Sequence, residues 1–422
     1  MPSVSLWLRL ATRTSFVFCL IGGTLTWVMP TQALEVNSEN LTLDQALTLA
    51  KNNYGLSANQ VQIEIQQALA DQAKRGPNPN LNLSVEEFPS LNQKSGEFSL
   101  NWQQTFPVSG RLTRQSLLAE KETELAILTL NLQKAMLRRD LTQAFYRALT
   151  WQVYLQELKR LQNNAQKSRV LVEAQNQVGK VLLTEVNRAR LLEEDLRLQI
   201  QTANTQWQQA RAQLALFWNQ NGDDIPPLAG ALIISITEDT SKKAEQSLLN
   251  KHPEWVQAEQ RITKQELNLN LQRALAVPDL TGSLGLRYLP YQDNIGSLLN
   301  LSWPIPLANA NQGNQIAVEQ QIKQAQLNQR ETQIQLKNLM HQSQLAYQNS
   351  QALIRRYQQQ VLPMAEQNLE LNQIAYDAGK LPYLAVLDTQ RSLMTFKLDY
   401  IKTWGEYWRA KAQLEYFTIA DE

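Results

Sequence analysis

The chain has 422 residues, a formal net charge of +1 and a mean hydropathy of −0.39. Glutamine, leucine, alanine and asparagine dominate it, while the 15 glycines and 15 prolines are grouped in a few places. Beyond about the first 35 residues no apolar run is long enough to cross a bilayer as a helix, which excludes a helical membrane protein. The even charge balance gives no reason to expect a nucleic-acid partner.

The first 33 residues predict a cleavable secretory signal peptide. Arg9 and Arg13 supply a positive start, residues 16–28 supply an apolar centre, and residues 31–33 supply a plausible cleavage site. A short membrane anchor is the alternative, which the glycines inside the apolar run disfavour. The only cysteine of the chain, Cys19, lies in this segment. We therefore expect a mature chain without thiols, disulfides or cysteine metal ligands.

Rare landmarks recur along the rest of the chain at a nearly constant spacing, which indicates two tandem copies of one unit. We predict a first repeat over residues 34–218, a linker over 219–240 with one short strand at 231–236, and a second repeat over 241–422. The recurring pairs are Pro79 and Pro278, Phe106 and Trp303, Gly179 and Gly379, and Ala212 and Ala412, at offsets of 199, 197, 200 and 200 residues.

Each copy is predicted to open with a helix and to continue into two short strands. In the first copy Thr42 or Asp44 caps a helix that runs through Asp71. The strand pairs fall at about residues 80–105 in the first copy and at about 279–303 in the second, where apolar and polar residues alternate.

The alternation is typical of transmembrane β-strands, in which one face meets lipid and the other faces a wet lumen. Arg287 is on the polar side of its segment and is predicted to face the lumen. A half-buried soluble hairpin is the alternative. Aromatic residues near the strand ends favour the membrane interpretation, and these are Phe88, Phe106, Tyr291 and Trp303.

A long helix hairpin is predicted after each strand pair, over residues 111–217 and 314–417. The 68 residues from Arg111 to Val178 contain neither proline nor glycine, enough for a helix of about 100 Å. Apolar residues spaced alternately by four and three predict a coiled-coil seam. Gly179 and Gly379 are the expected C-caps where each hairpin reverses, and Pro363 is expected to break the second outgoing helix.

Four strands cannot close a barrel, because the smallest barrels have eight, and open sheet edges are not tolerated in lipid. We therefore predict an α+β membrane protein built from two tandem structural repeats. Several chains, each giving four strands, would share one transmembrane β-barrel that continues into a long α-helical barrel. The residues alone leave the number of chains open, since two or more satisfy closure.

Several stretches of the chain together match the sequence pattern of one known family, and these are residues 41–47, 79–81, 362–369, 376–380 and 386–390. On these stretches, and over nearly all of residues 40–417, the chain resembles the TolC-like outer-membrane efflux protein family. Within that family, Pro304-Ile305-Pro306-Leu307 followed by Asn311-Gln312-Gly313 is most similar to the heavy-metal, CzcC-like branch.

The resemblance implies the outer-membrane exit duct of a tripartite efflux system, with a helical extension in the periplasm. It implies a homotrimer in outer-membrane lipid, a periplasmic adaptor protein and an inner-membrane pump as partners. The adaptor would grip the hairpin tips, at Gly179 and Lys180 in the first copy and at Gly379 and Lys380 in the second.

The resemblance also implies a gate at the periplasmic tips. Tyr376 matches a tyrosine that helps to hold the closed state, and Asp388 matches one acidic position of a ring at the entrance. The second acidic position falls on Ala385 and the basic latch position on Leu381, so the electrostatic latch is incomplete. On residue type alone, Asp388 is equally well explained as a solvated acid on a helix surface.

The sequence contains no catalytic set, phosphate-binding loop or Cys/His cluster with metal-ligand spacing, so we expect neither an enzyme nor a cofactor or metal site. His252 is expected to cap a helix or lie at the surface, and Glu193-Glu194-Asp195 is expected to be a solvated helix face. Two other functions stay open: the exit duct of a protein or glycolipid exporter, and a soluble periplasmic coiled-coil adaptor or scaffold.

Overall fold

The computed structural model describes residues 40–86, 96–220, 225–234, 249–290 and 292–418. Within these ranges the chain is mostly helical and holds one four-stranded antiparallel sheet. The predicted signal peptide lies outside the described residues. So do Phe88 and Tyr291, two of the aromatics at the predicted strand ends, and residues 221–224 and 235–240 of the predicted linker.

A break divides the helix that was predicted to open the first copy. Helix α1 spans Leu43–Leu49 and helix α2 spans Tyr54–Ala73. Thr42 caps α1, as one of the two predicted alternatives. The backbone of Asn53 is extended, and its side chain accepts a hydrogen bond from the Gly55 N–H at 2.8 Å. The prediction of one continuous helix was wrong, because Asn53 acts as a second N-cap.

The four strands lie in the sheet in chain order, so that β2 and β3 join the two copies. The strand pairs predicted at about 80–105 and 279–303 agree with the sheet within about one residue, since β2 ends at Phe106 and β4 ends at Ser302. The strands are β1 (Asn80–Glu86), β2 (Glu97–Phe106), β3 (Leu280–Leu289) and β4 (Asn294–Ser302).

The described residues also form six further helices. Helix α3 has 67 residues, a length of about 100 Å. Pro363 lies in the first turn of α7 and a π-helical turn at Tyr357–Val361 precedes it, so the second outgoing helix is interrupted as predicted. The helices are α3 (Arg111–Gln177), α4 (Leu183–Ala215), α5 (Pro253–Leu275), α6 (Gln312–Arg356), α7 (Leu362–Asp377) and α8 (Tyr383–Thr418).

The helices pack in the same order as the strands. Helix α3 contacts α2 and α4 on one side and α5 and α8 on the other. Helices α6 and α7 lie beyond α5 and α8. Two columns of helices, α2 with α4 and α6 with α7, therefore form the two ends of the row, just as β1 and β4 form the two ends of the sheet.

The predicted coiled-coil seam is the packed core of the hairpins. On α3, Leu141, Ala148, Leu155 and Leu158 are buried, and α8 contributes its own apolar row. Helices α3 and α8 are in close contact at Gly405, where an added Cβ would lie 2.5 Å from Oγ1 of Thr150. The buried residues of the α8 row are Leu387, Met394, Leu398 and Ile401.

The described part of the linker, residues 225–234, crosses the helices. Its residues 231–234 form no strand, while residues 235 and 236 of the strand predicted at 231–236 lie outside the described residues. Leu228 instead pairs with Leu41 in a single parallel bridge. Helix side chains take the place of a neighbouring strand: the amide of Gln152 exchanges two 2.9 Å hydrogen bonds with the Leu228 backbone. Trp408 Nε1 donates to the Leu232 carbonyl at 2.8 Å. Side chains thus satisfy backbone groups that a sheet would otherwise pair.

Candidate functional site

The sheet has one apolar face, and this face is exposed. Leu83 of β1 lies opposite Leu100 of β2, which lies opposite Leu286 of β3. Leu83 is 74% exposed and Leu299 of β4 is 84% exposed. An apolar face of this size is unusual on a soluble monomer and marks a surface that contacts lipid or protein. The other exposed apolar residues of this face are Leu81, Val85, Phe98, Trp102, Phe106, Leu284, Tyr288, Ile295 and Leu301.

The opposite face of the sheet is polar and hydrogen bonded across the strands. The hydroxyls of Ser84 and Ser99 lie 2.6 Å apart, and those of Thr105 and Thr281 lie 3.3 Å apart. Arg287 is on this face, as its place in the alternation predicted, because its register partner in β2 is Ser99. Polar side chains that bond to each other in this way suit a wetted surface.

Both outer strands of the sheet have an unpaired side. The order is β1-β2-β3-β4, so each of β1 and β4 has only one neighbour among the described strands. Leu298, which breaks the alternation of β4, lies on the polar face opposite Gly285. An apolar side chain fits there because Gly285, its neighbour in β3, has no side chain.

The two hairpin tips share one backbone turn. In the first, the Lys180 N–H donates to the Gln175 carbonyl at 2.9 Å, and in the second the Lys380 N–H donates to the Ala375 carbonyl at 2.8 Å. Gly179 and Gly379 have φ values of 75° and 71°, the left-handed conformation that this helix ending requires. All four predicted tip residues are exposed.

Tyr376 connects the tip of the second hairpin to the first hairpin. Its hydroxyl donates a 2.6 Å hydrogen bond to Oε1 of Gln175 on α3, and its ring packs 5.4 Å from that of Tyr383. Burial, and then the carboxylates of Glu185 and Asp377, raise the pKa of Tyr376 above 10.0. The hydroxyl therefore keeps its proton and remains a donor.

Asp388, the other predicted gate residue, lies apart from this hydrogen bond. Its side chain is exposed on α8 and makes no ion pair within the described part of the chain. Residues 381 and 385, where the resemblance would place a base and a second acid, are Leu and Ala. A carboxylate in this position is free to act on solution ions.

The first tip is stabilised instead by ion pairs inside its own hairpin. Glu193 is only 3% exposed and bridges Arg169 at 2.6 Å and Arg197 at 2.7 Å. Arg169 and Arg190 both bind Glu173, and these bonds, that of Arg190 first, lower its pKa below 4.5. The prediction that Glu193 belongs to a solvated face was wrong, because two arginines from α3 and α4 compensate its buried charge.

His252 caps helix α5 and is fully buried. Its Nδ1 accepts a hydrogen bond from the Glu254 N–H at 3.3 Å, and its ring packs against Tyr416 and Phe417. Burial, and then the positive charge of Arg139, lower the pKa of His252 from 6.5 to about 4. Of the two predicted locations the capping one is confirmed, and the residue does not lie at the surface.

The described residues hold neither a helix suited to span a membrane nor a metal-binding group. Among those residues, no helix combines the length and the apolar character needed to cross a membrane. Nor do three or more His, Cys, Asp or Glu side chains come together there in a group that could hold a metal ion.

A family model described as "Outer membrane efflux protein" matches residues 46–220 and 245–418. The chain belongs to the outer membrane efflux protein family. The two matched segments cover most of both predicted repeats. As a family member the protein is an outer-membrane channel through which substrates exit, a transporter and not an enzyme.

Known relatives match this chain over most of their length. The cobalt-zinc-cadmium resistance protein CzcC of Cupriavidus metallidurans is 26% identical over 380 residues, 89% of each chain. The solved CusC structure has a TM-score of 0.76 at 19% identity and covers 90% of this chain and 94% of its own. VceC of Vibrio cholerae has a TM-score of 0.74 at 18% identity, covering 89% and 95%. These two structures support the fold.

Sequence reasoning missed two partners of the predicted site residues. Gln175, which accepts the hydrogen bond of Tyr376, is one of many glutamines on a long helix, and no sequence signal distinguishes it. Glu97, which pairs with Arg287, is recognisable only once the β2–β3 register is known, because 190 residues separate the two. Opposite charges on the polar sides of two predicted strands were the only available hint.

Proposed function

We propose that three copies of this chain form one exit duct, whose strands close a single β-barrel in the outer membrane and whose helices continue it into the periplasm. The observation that carries the proposal is the sheet with an exposed apolar face and two unpaired edges. In lipid an unpaired edge costs several kcal/mol for each backbone group. Pairing β1 of one copy with β4 of the next removes both edges and turns the apolar face outward.

The helices support the same assembly, because the outer helix columns carry exposed apolar rows. Val61, Ile65 and Leu69 recur every four residues on α2 and are all about half exposed. Leu327 and Ile334 on α6 are seven residues apart and similarly exposed. Rows with helical spacing suit helix–helix packing, so the α6 and α7 column of one copy would pack on the α2 and α4 column of the next.

Disulfide scanning of the strand edges tests the closed barrel. Asn82→Cys in β1 would be combined in turn with cysteine at 296, 298 or 300 in β4, in a mature chain expected to lack other thiols. Oxidised outer membranes should show covalent species of two and three chains and nothing larger. The matched control is Asn101→Cys in β2, an inner strand, with the same β4 scan. Ladders beyond three chains, or monomers alone, would contradict the proposal.

The proposed duct opens at its periplasmic end, where the second hairpin is the moving part. Tyr376 would hold the closed state through Gln175, and three copies of Asp388 would form an acidic ring that attracts cations and repels anions. A periplasmic adaptor would contact the tips at Gly179, Lys180, Gly379 and Lys380. An inner-membrane pump would supply the energy and select the cargo.

Membrane fractionation separates this proposal from the two alternatives that the sequence left open. The protein should partition into the outer membrane and run as a heat-sensitive trimer on a gel. A soluble monomer would instead indicate a periplasmic adaptor or scaffold, which the exposed apolar sheet face does not support. An exit duct for protein or glycolipid would have the same wall, so co-purification with a crosslinker placed at the tips would identify the pump.

A further inference from the structure

The only charged side chains of the four described strands lie together at one end of the sheet. Strand β1 ends at Glu86, β2 begins at Glu97, and the two residues are register partners. Arg287 lies two positions further along, opposite Ser99. Each strand enters or leaves the helices at its other end, so this cluster lies at the end of the sheet that is remote from the helices.

The rest of the polar face carries no charge. Serine, threonine, asparagine and glutamine occupy most of its positions, with Gly285, Leu289, Gly296 and Leu298 at the others. An ion passing along this face would therefore meet fixed charges only at Glu86, Glu97 and Arg287. In the barrel proposed above, on which this inference rests, that place is the outer mouth of the duct.

Arg287 reaches across from β3 to Glu97 rather than to its direct neighbours. Its Nε lies 2.5 Å from Oε1 of Glu97, and the two side chains are 42% and 24% exposed. Its register partners, Ser99 in β2 and Gly296 in β4, offer no charge. The pair is therefore neutral but still wetted, and removing one partner would expose the charge of the other to the lumen.

We infer that the Glu97–Arg287 pair is an ion-specificity determinant at the outer mouth of the duct. With the pair intact, Glu97 and Arg287 cancel each other, and the described residues at this end keep the carboxylates of Glu86 and of Asp293 in the β3–β4 turn. Losing Arg287 adds one uncompensated negative charge for each chain, and losing Glu97 adds one uncompensated positive charge. Substituting one partner or the other should therefore change the ion selectivity in opposite directions. Substitutions in a purely structural ion pair would not do so.

Single-channel recording tests this directly, in planar bilayers under a KCl gradient at low salt, where a wall charge acts over about 10–30 Å. Arg287→Gln should raise the cation-to-anion permeability ratio about twofold and Glu97→Gln should lower it by about the same factor. The double variant restores the wild-type charge and should restore the wild-type ratio. Asn300→Gln, an uncharged change on the same face, is the matched control.

Conductance and trimer content are measured on the same samples. If the variants conduct and assemble normally but shift the ratio in one direction, or not at all, the inference is wrong and the proposed duct is unaffected. If the wild-type protein neither assembles nor conducts, the proposed function itself fails. Recordings in an Asp388→Asn background show that the outer pair acts independently of the periplasmic entrance.

Discussion

The two hairpin tips have the same backbone turn but different side-chain partners. The first is tied within itself, through the buried Glu193 and its arginines, whereas the second is tied to the first through Tyr376 and Gln175. At an offset of 200 residues, Glu193 corresponds to Leu393 and Tyr376 to Asn176. The two predicted repeats therefore share the turn and differ in the side chains around it. The first hairpin holds a buried ion-pair network of its own, whereas the second adds to its internal contacts a hydrogen bond to its neighbour.

The largest loss of stability is expected at Gly405, where α8 contacts α3. Gly405→Val would drive its Cβ into Thr150, so overpacking should lower the free energy of unfolding by about 3 kcal/mol. The residue 200 positions earlier, Thr205, is exposed on α4, and Thr205→Val is the matched control. Thermal unfolding of the purified protein in detergent measures both. Equal unfolding temperatures would show that the two return helices are packed alike.

The two copies also cap equivalent helices with different residues, Asn53 for α2 and His252 for α5. The unfolded histidine takes up a proton below pH 6.5, while the folded one does not until about pH 4. The free energy of unfolding should therefore fall as the pH is lowered from 6.5 to about 4, by about 3 kcal/mol in total. His252→Asn imports the cap of the first copy and should abolish that fall in pH-dependent melting. An unchanged pH profile would mean that another group titrates.

Removing the bond between the hairpins should have a smaller effect. Tyr376→Phe keeps the ring and loses one hydrogen bond, about 1 kcal/mol, so the open state should become about fivefold more populated. Single-channel open probability reports the change. Asn176→Ala at the equivalent place of the first tip removes a bond to the Val181 carbonyl within that tip and should leave the open probability unchanged. An equal response of both tips would remove the distinction between them.

The smallest effect is expected from Asp388→Asn. Three exposed carboxylates, screened by salt, should bias permeation only about twofold toward cations. The substitution should lower that bias without changing the melting temperature. Arg188→Gln tests the equivalent position of the first hairpin. A cation-to-anion permeability ratio left unchanged by Asp388→Asn would assign Asp388 to an ordinary solvated helix surface.

Local patterns predicted the parts of the structure that depend on local physics. The alternation of apolar and polar residues identified the polar side of Arg287, and the rare glycines located both turns. Both predictions were possible because strand periodicity and a left-handed turn depend only on residues close in sequence. The break at Asn53 was missed because asparagine also occurs inside helices, although less often than at their N-caps. The burial of Glu193 and the bond from Tyr376 to Gln175 depend on which helices meet. Only tertiary packing decides that.

The outer edges of β1 and β4, which have no neighbouring strand among the described residues, also determine the order in which the proposed assembly would form. Each hairpin of helices forms within one chain, so its formation is independent of how many copies are nearby. In the proposed barrel the sheet would acquire its last backbone partners from other copies, so completing it would be an association reaction whose rate depends on concentration. Membrane insertion and subunit recognition would then be one step, and a chain without partners would have two open sheet edges rather than a smaller pore.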